Sequence, residues 1–461
     1  MNLVLLSGGS GKRLWPLSND SRSKQFLKVL KSNQSNYESM IQRVWKQLGE
    51  TGLAKSTVIA TSGSQVEMIQ SQVGVNVPLV IEPARRDTFP AIALAASYLY
   101  SIKKVPLDKA IAVLPVDPFV ETSFFNKVKE LENVLNSSDA NIALMGVDPT
   151  FPSEKYGYIV PSQEEIFENY IAVSHFVEKP NEEQAKELIE KNALWNCGVF
   201  AFKLEYIIGI LKTMGFPTGY EQLLDIYETL PKDSFDYEVL EKEEKIVVLP
   251  YDGYWKDLGT WNTLTDEMNT KIIGKGIISD DSFNTHLVNE LDLPITVLGI
   301  SNAVVAASPD GILVTDKEAS PRIKEVMKNF EQRPMYEERR WGWYKVLDFV
   351  KLDDGNEVLT KRICIKSGKN LSYQLHDKRS EVWTIIKGEG QLVLNEEIRN
   401  VRSGDVLKIP VGVRHAIKAI SDLEIVEVQN GSELIEEDIH RIYINWEDIV
   451  KNCINQILTD S

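Results

Sequence analysis

Cysteine is scarce in this chain. Three cysteines (Cys197, Cys364 and Cys453) occur among 461 residues. They lie far apart and are odd in number, which argues against a disulfide framework and suits a reducing cytoplasm. Long apolar runs are also missing: none reaches the roughly eighteen residues of a membrane span. The opening MNLVLLSGG has no basic region ahead of its short apolar stretch, unlike a signal peptide. Net positive charge is absent too, and a formal net charge of −16 argues against nucleic acid or an anionic membrane as a main partner. No segment is of low complexity. What is present is ordinary for a soluble globular protein, with 43% hydrophobic and 26% charged residues. The length predicts two or three domains.

From Met1 to about residue 120, short β-branched runs alternate with helical stretches. Residues 3–6, 56–60, 78–81 and 109–114 read as buried strands, and 37–48 and 90–101 as helices. This is the pattern of an α/β fold with a parallel sheet covered on both faces. Further strands are predicted at 142–147, 171–177, 199–203 and 245–250. After residue 265 the character changes: 284–316 shows short apolar pairs punctuated by Pro, Gly and Asp, read as a small β module built as a few coils of β-helix. Residues 317–340 are dense in charge and read as a helix and linker. Short strands with Gly-centred turns over 344–428 predict a sandwich or barrel. The division expected is 1–265, 266–335 and 336–461.

The strongest feature is LVLLSGGSGKRLWPLSNDSRSKQFL, residues 3–27. A buried strand runs into Gly8, Gly9, Ser10 and Gly11, where glycine lets several N–H groups face an anion. Lys12, Arg13, Arg22 and Lys24 follow, four cations in an acidic chain, suited to a polyphosphate under attack. A P-loop and G-x-G-x-x-G are both excluded by the glycine spacing. A turn with a solvated basic face is the bland alternative.

GGSGKRLWPLS followed by KQFL resembles the signature of the mannose-1-phosphate guanylyltransferases, GGxGxRLWPLSRxxxPKQF, with Asn19 for Arg and Ser23 for Pro. The resemblance implies a Rossmann-like nucleotidyltransferase domain of GT-A type. It implies that Gly8, Gly9 and Gly11 hold the nucleotide, that Arg13 contacts the triphosphate, and that Lys24 sits at the reacting phosphates. EPARRDTFPAIALAA is similar to a nucleoside-side block and brings in Glu82 and Asp87. FVEKP supplies Glu178 and Lys179 for the sugar and its phosphate, WNCGVF supplies Asn196, and YGYI supplies Tyr158, with Gly146 upstream near the sugar. DYEVLEK, residues 236–242, matches a further block.

Nucleotidyl transfer brings two anions together, so a divalent cation held by carboxylates is expected, and Mg²⁺ fits because it keeps phosphate oxygens and water as ligands. Asp117 in VLPVDPF lies just past a buried strand, where ligands bind in open α/β sheets. Asp257 lies in YWKDLGTW. Each resembles a metal position of the family, and an Asp capping a turn is the structural alternative for either. Pro118, where the guanylyltransferases usually carry His, resembles relatives that use dTTP and leaves another nucleoside triphosphate or sugar 1-phosphate open.

Two of the five histidines fall in a second pattern. Gln374 and His376 lie two apart, on one face of a strand. Glu381 follows, and His415 ends IPVGVRH. Q-x-H-x₄-E with a later PxGxxH is a cupin ligand set, and two imidazoles with a carboxylate suit Zn²⁺ or a similar divalent transition metal. A hydrogen-bonded core without metal is the alternative. The block resembles the C-terminal type II phosphomannose isomerase domain of bifunctional enzymes, with Asp377, Lys378 and Val382 in place of histidines. It leaves active isomerase and regulatory cupin both open. The whole reading is a cytoplasmic enzyme, with a homodimer as the candidate assembly, joining GTP to mannose 1-phosphate. A sensor that binds without turnover is the reading from another class.

Overall fold

The computed structural model describes residues 1–9, 11–19, 21–32, 36–330, 332–435 and 438–459, with side chains as far as residue 453 in the last stretch. Ser10 of the glycine loop lies outside the described residues. The chain forms two compact units, Met1–Lys271 with Asp316–Val326, and Ile272–Thr315 with Met327–Ser461.

The first unit is built on a nine-stranded sheet. Leu79–Glu82, Thr57–Ser62, Asn2–Ser7 and Ala110–Pro115 run parallel, side by side. Leu194–Lys203 then lies antiparallel to both its neighbours, Ala110–Pro115 and Ile142–Val147. Ile246–Tyr251 and the hairpin of Ile171–Glu178 with Gly157–Ile166 complete the sheet. The four strands read as parallel over residues 3–114 are parallel, and the strands that follow make the sheet mixed. Strands covered on both faces read as continuous apolar runs whichever way they point, so direction was not legible in them.

Helices Met40–Glu50 and Thr122–Ser137 bury Ile41, Val44, Phe124 and Val128 against one face. Thr88–Ser101 and Leu204–Thr213 bury Ile92, Leu99, Ile207 and Leu211 against the other. Met40–Glu50 begins later than the apolar pattern suggested. Ser39 caps it, accepting from Gln42 N while the Gln42 side chain reaches back to Ser39 N. This reciprocal cap fixes the start, and Tyr37 and Glu38 are left as a short strand. The four parallel strands all deliver their C-terminal ends to one edge, which carries the glycine loop, Glu82 and Asp117.

In the second unit, Ile272–Ile273, His286–Asn289 and Ala303–Ser308 stack in parallel, as do Gly276–Ile278 and Ile295–Val297. This is the coil geometry expected of a β-helix. Asn284 and Asn302 occupy equivalent left-handed corners, with φ of 50° and 55°, and Asn284 Nδ2 donates to Asn302 Oδ1 at 2.8 Å. A six-stranded and a five-stranded antiparallel sheet then form the barrel, closed over Leu359, Trp383, Ile417 and Ile425.

The expected continuous 266–335 module is divided. Residues 316–326 belong with the first unit, where Ser320 Oγ accepts from Asn262 N at 3.2 Å. Of the helix and linker expected over 317–340, the α-helix is the short Ile323–Val326, and the stretch ends in a strand, Tyr336–Arg339. Charge density alone lacks the apolar stripe that would hold a longer helix.

Candidate functional site

The glycine loop is fastened from below by Ser23 and Gln25 of the quoted motif and by Thr61 and Gln65 outside it. Ser23 Oγ donates to Gly9 O at 3.1 Å and accepts from Gln65 Nε2 at 2.8 Å. Gln25 Nε2 donates to Ser7 Oγ at 3.2 Å, and Thr61 Oγ1 to Ser7 O at 3.1 Å. At Gly11 a Cβ would stand 2.1 Å from Asn19 O, so only glycine fits where the loop doubles back. Arg13 is exposed and Lys12 partly so, whereas Arg22 is buried.

Lys24 lies between the two aspartates singled out as metal ligands. Its Nζ is 2.8 Å from Asp117 Oδ2 and 2.9 Å from Asp257 Oδ1. Asp257 is on the strand Trp255–Asp257, paired antiparallel with Pro118–Val120 directly after Asp117, and this ribbon brings the carboxylates together. Burial alone would lower the Lys24 ammonium, but Asp117 and Asp257 outweigh it and raise it above the usual lysine range. Burial pushes Asp257 upward, while Lys24, Arg13 and Lys155 together pull it below the ordinary carboxylate range. Two carboxylates sharing a single ammonium keep a net negative charge and spare lone pairs, a donor set that fits a hard divalent cation.

On the nucleoside side, Glu82 is buried beside Gly8. Its Oε1 lies 3.8 Å from where a Gly8 Cβ would be, and its Oε2 accepts from Tyr227 OH at 2.7 Å. Burial raises the Glu82 carboxyl despite that bond. Asp87 is exposed at φ 75° and caps Thr88–Ser101, accepting from Thr88 N at 2.8 Å.

On the sugar side, Glu178 and Lys179 form an ion pair, and Lys179 Nζ lies 6.0 Å from the centre of the Tyr237 ring. Asn196 Nδ2 donates to Asp236 Oδ1 at 2.9 Å. One expected residue does not join them. Tyr158 is fully buried, and its hydroxyl is taken up by Ser153, accepting from N at 2.8 Å and donating to O at 3.1 Å. Strand alternation, which a motif match does not weigh, turns it into the core. Gly146 is register-paired with Asn196, and a Cβ there would stand 2.8 Å from Leu194 Cβ and 3.0 Å from Val248 Cγ2, so only glycine fits beside it. Gly157 borders Glu178, whose Oε2 a Cβ there would strike.

Asp236 was not singled out from its motif, although the DYEVLEK block contains it. Burial first, and the Glu178 charge second, hold its carboxyl up to about 7. The folded chain thus keeps a proton that an unfolded chain releases near pH 4, so this group's contribution weakens as pH rises from about 4 through about 7. Asp236→Asn removes that slope. In paired thermal melts, the variant gains on the parent with rising pH and levels off above about pH 8; a pH-independent difference would refute the assignment.

In the second unit, the residues expected as cupin ligands meet inside the barrel. Gln374 is register-paired with His415, and Glu381 Oε1 and Oε2 lie 3.2 Å from His376 Nε2 and 3.6 Å from His415 Nε2. Each imidazole is oriented from behind, with His376 Nδ1 2.8 Å from Asp438 O and His415 Nδ1 2.9 Å from Val413 O. Those carbonyls accept the Nδ1 protons and leave both Nε2 lone pairs facing Glu381. His415 Nε2 is buried without a hydrogen-bond partner, which fits a metal ligand. Arg379 Nε and Trp383 Nε1 donate to Glu381 at 3.1 and 3.0 Å. Burial raises Glu381, but His376, His415 and Arg379 together bring it well below the carboxylate range; burial also lowers His415. Gln374 approaches His376 at 3.5 Å, while its oxygen accepts from Ser372 Oγ at 2.7 Å.

A glycine loop at a sheet edge, with a lysine held between two carboxylates, defines a nucleotidyl transferase. The family model of that description, Nucleotidyl transferase, matches residues 2–272, and Mannose-6-phosphate isomerase C-terminal matches residues 328–443. The chain belongs to the mannose-1-phosphate guanylyltransferase family: it is 30% identical to mannose-1-phosphate guanylyltransferase 2 of Escherichia coli over 95% of this chain and 96% of the relative. It is equally 30% identical to the xanthan biosynthesis protein XanB of Xanthomonas campestris, over 95% of this chain and 97% of that one. The crystal structure of a mannose-1-phosphate geranyltransferase from Thermus thermophilus aligns with a TM-score of 0.60 at 27% identity, covering 72% of this chain and 99% of the other.

Proposed function

We propose that the first unit transfers GMP from GTP to mannose 1-phosphate. An oxygen of the sugar phosphate attacks the α-phosphorus, the bond to the β-phosphate oxygen breaks, and GDP-mannose and pyrophosphate leave. The observation that carries this reading is the convergence of Lys24, Asp117 and Asp257, residues up to 233 positions apart. Asp117 and Asp257 would hold Mg²⁺, which when bound neutralises charge on the transferring phosphates. Gly8, Gly9 and Gly11 cradle the triphosphate, and Arg13 and Lys24 offset its charge. Glu82 and Asp87 face the nucleoside, Glu178 and Asn196 take sugar hydroxyls, and Lys179 anchors the sugar phosphate. The nucleophile arrives already ionised, so no protein nucleophile is needed.

His376, Glu381 and His415, with Gln374 beside them, would hold a transition metal such as Zn²⁺ in the cupin. That ion when bound polarises a sugar carbonyl, and the unit interconverts mannose 6-phosphate and fructose 6-phosphate. Three free, buried cysteines support a cytoplasmic setting.

Pyrophosphate release across four nucleoside triphosphates and several sugar 1-phosphates tests the transferase reading. GTP with mannose 1-phosphate is expected to exceed every other pair at least tenfold in kcat/KM. A preference for dTTP would move the assignment to the other base, and release with no pair would leave a binding protein.

A further inference from the structure

The six-stranded sheet of the barrel has an outer face poorly matched to water. Its strands run in the order Tyr336–Arg339, Gly342–Lys351, Glu357–Ile365, Leu423–Gly431, Arg379–Lys387 and Val406–Ile409. Alternation sends Leu359, Ile425, Trp383 and Leu407 into the core, so the residues between them point outward. Six of these are valines: Val350, Val358, Val382, Val406, Val426 and Val428. A solvated sheet face ordinarily carries polar residues at such positions. Here Val382, Val350 and Val406 stay 37%, 42% and 60% exposed, and the other three are half-buried. A contiguous apolar patch of this kind marks an interaction surface.

The strand registers align the outward residues in rows. In one row Asp348 pairs with Thr360, Thr360 with Val428, Val428 with Val382, and Val382 with Lys408. An acid and a base thus end the row, each two strands from the central strand Leu423–Gly431. Both side chains are exposed, and neither has an ion-pair or hydrogen-bond partner among the described residues. Their neighbours are already committed. Arg362 Nε and Lys387 Nζ share Glu424 at 3.0 and 3.4 Å, and Lys345 Nζ lies 3.7 Å from Asp292.

We propose that this face joins two copies of the chain, sheet against sheet, about a two-fold axis running along Leu423–Gly431. A two-fold contact must be self-complementary. With the axis along that strand, Asp348 of each copy meets Lys408 of the other, and Val426 and Val428 meet their own counterparts. An axis across the strands would instead set Asp348 on Asp348 and Lys408 on Lys408. A different protein would have to present this charge pattern reversed, which a second copy supplies by symmetry alone. An anionic membrane is a poorer occupant, because Asp348 and Glu424 would face it. Five strands about 4.8 Å apart, with about six residues rising 3.4 Å each, offer a footprint of roughly 500 Å² per copy. That is smaller than the ~800 Å² of a standard interface, so the dimer is expected to dissociate on dilution. This contact depends on neither proposed reaction.

Sedimentation velocity on the full-length protein, across a dilution series, tests the contact. A dimer is expected that dissociates on dilution and weakens as salt is raised. Lys408→Asp and Asp348→Lys each set like charges against one another at both ends of the row, and weaken the dimer by about tenfold or more. Mixed together, the two variants form a heterodimer within about threefold of the parent, because one then carries two acids and the other two bases. Val428→Glu, on the axis, gives monomer with unchanged far-UV circular dichroism, which separates a lost contact from a lost fold. A parent monomeric at every concentration would overturn the proposal and leave the face to another protein. A dimer indifferent to all three substitutions would put the contact elsewhere and refute it. So would a mixture of the two charge variants that stays monomeric.

Discussion

Replacing Lys24 with Met is expected to lower kcat/KM for nucleotidyl transfer by roughly 10²- to 10³-fold, the range seen when one preorganised charge-stabilising group is lost, while far-UV circular dichroism stays unchanged. The ammonium is the only cation within ion-pair distance of Asp117 and Asp257 among the described residues. Without it, two carboxylates face each other at the point where phosphates must arrive, and repulsion replaces neutralisation. Lys24→Arg is expected to rescue little, because the planar guanidinium is a different shape from the compact ammonium that both carboxylates share. The stability effect has a definite sign. Asp117 and Asp257 raise the folded pKa of Lys24 above its unfolded value. Its contribution is therefore fully present at neutral pH and is lost only as pH climbs through the folded value. Lys24→Met removes it altogether, but the group is partly exposed, so solvent screening keeps the loss modest. Turnover within threefold of the parent would end the role assigned to Lys24.

The second large effect is expected in the cupin. His415→Gln should reduce tightly bound transition metal by at least tenfold per chain, read by inductively coupled plasma mass spectrometry, and abolish any mannose 6-phosphate isomerisation. Its Nε2 makes no hydrogen bond within the protein, so the substitution removes a proposed metal ligand at low structural cost. Glu381→Gln is the harsher change. It withdraws the carboxylate from Arg379, Trp383 and both histidines, and breaking a buried ion pair costs on the order of 3–5 kcal/mol. Metal loss with a sharply lowered Tm is expected there, against metal loss with a nearly intact Tm for His415→Gln. Unchanged metal content in both variants would establish the cluster as a hydrogen-bonded core.

The parallel half of the transferase sheet was legible because its strands are short, apolar and separated by helical stretches, and the glycine loop because its glycines and cations are contiguous. Tyr158 was misplaced for a physical reason. A motif names a position in the chain, while the face of the strand decides whether that position meets solvent or core, and here alternation turned Tyr158 inward. Gly157 and Asp236 lay inside quoted motifs, yet only proximity to Glu178 and Asn196 gives them significance.

The sequence by itself determined the local chemistry: which residues can bend tightly around an anion, which can neutralise it, and which donors can ligate a metal. Those properties belong to single side chains and short runs, so they survive without a fold. Tertiary structure alone decided what meets. The ribbon of Trp255–Asp257 with Pro118–Val120 places two distant aspartates on one lysine, and residues 316–326 are returned to the first unit. Long-range pairing of this kind depends on register and burial across the sheet, and neither is encoded within any one window of the chain.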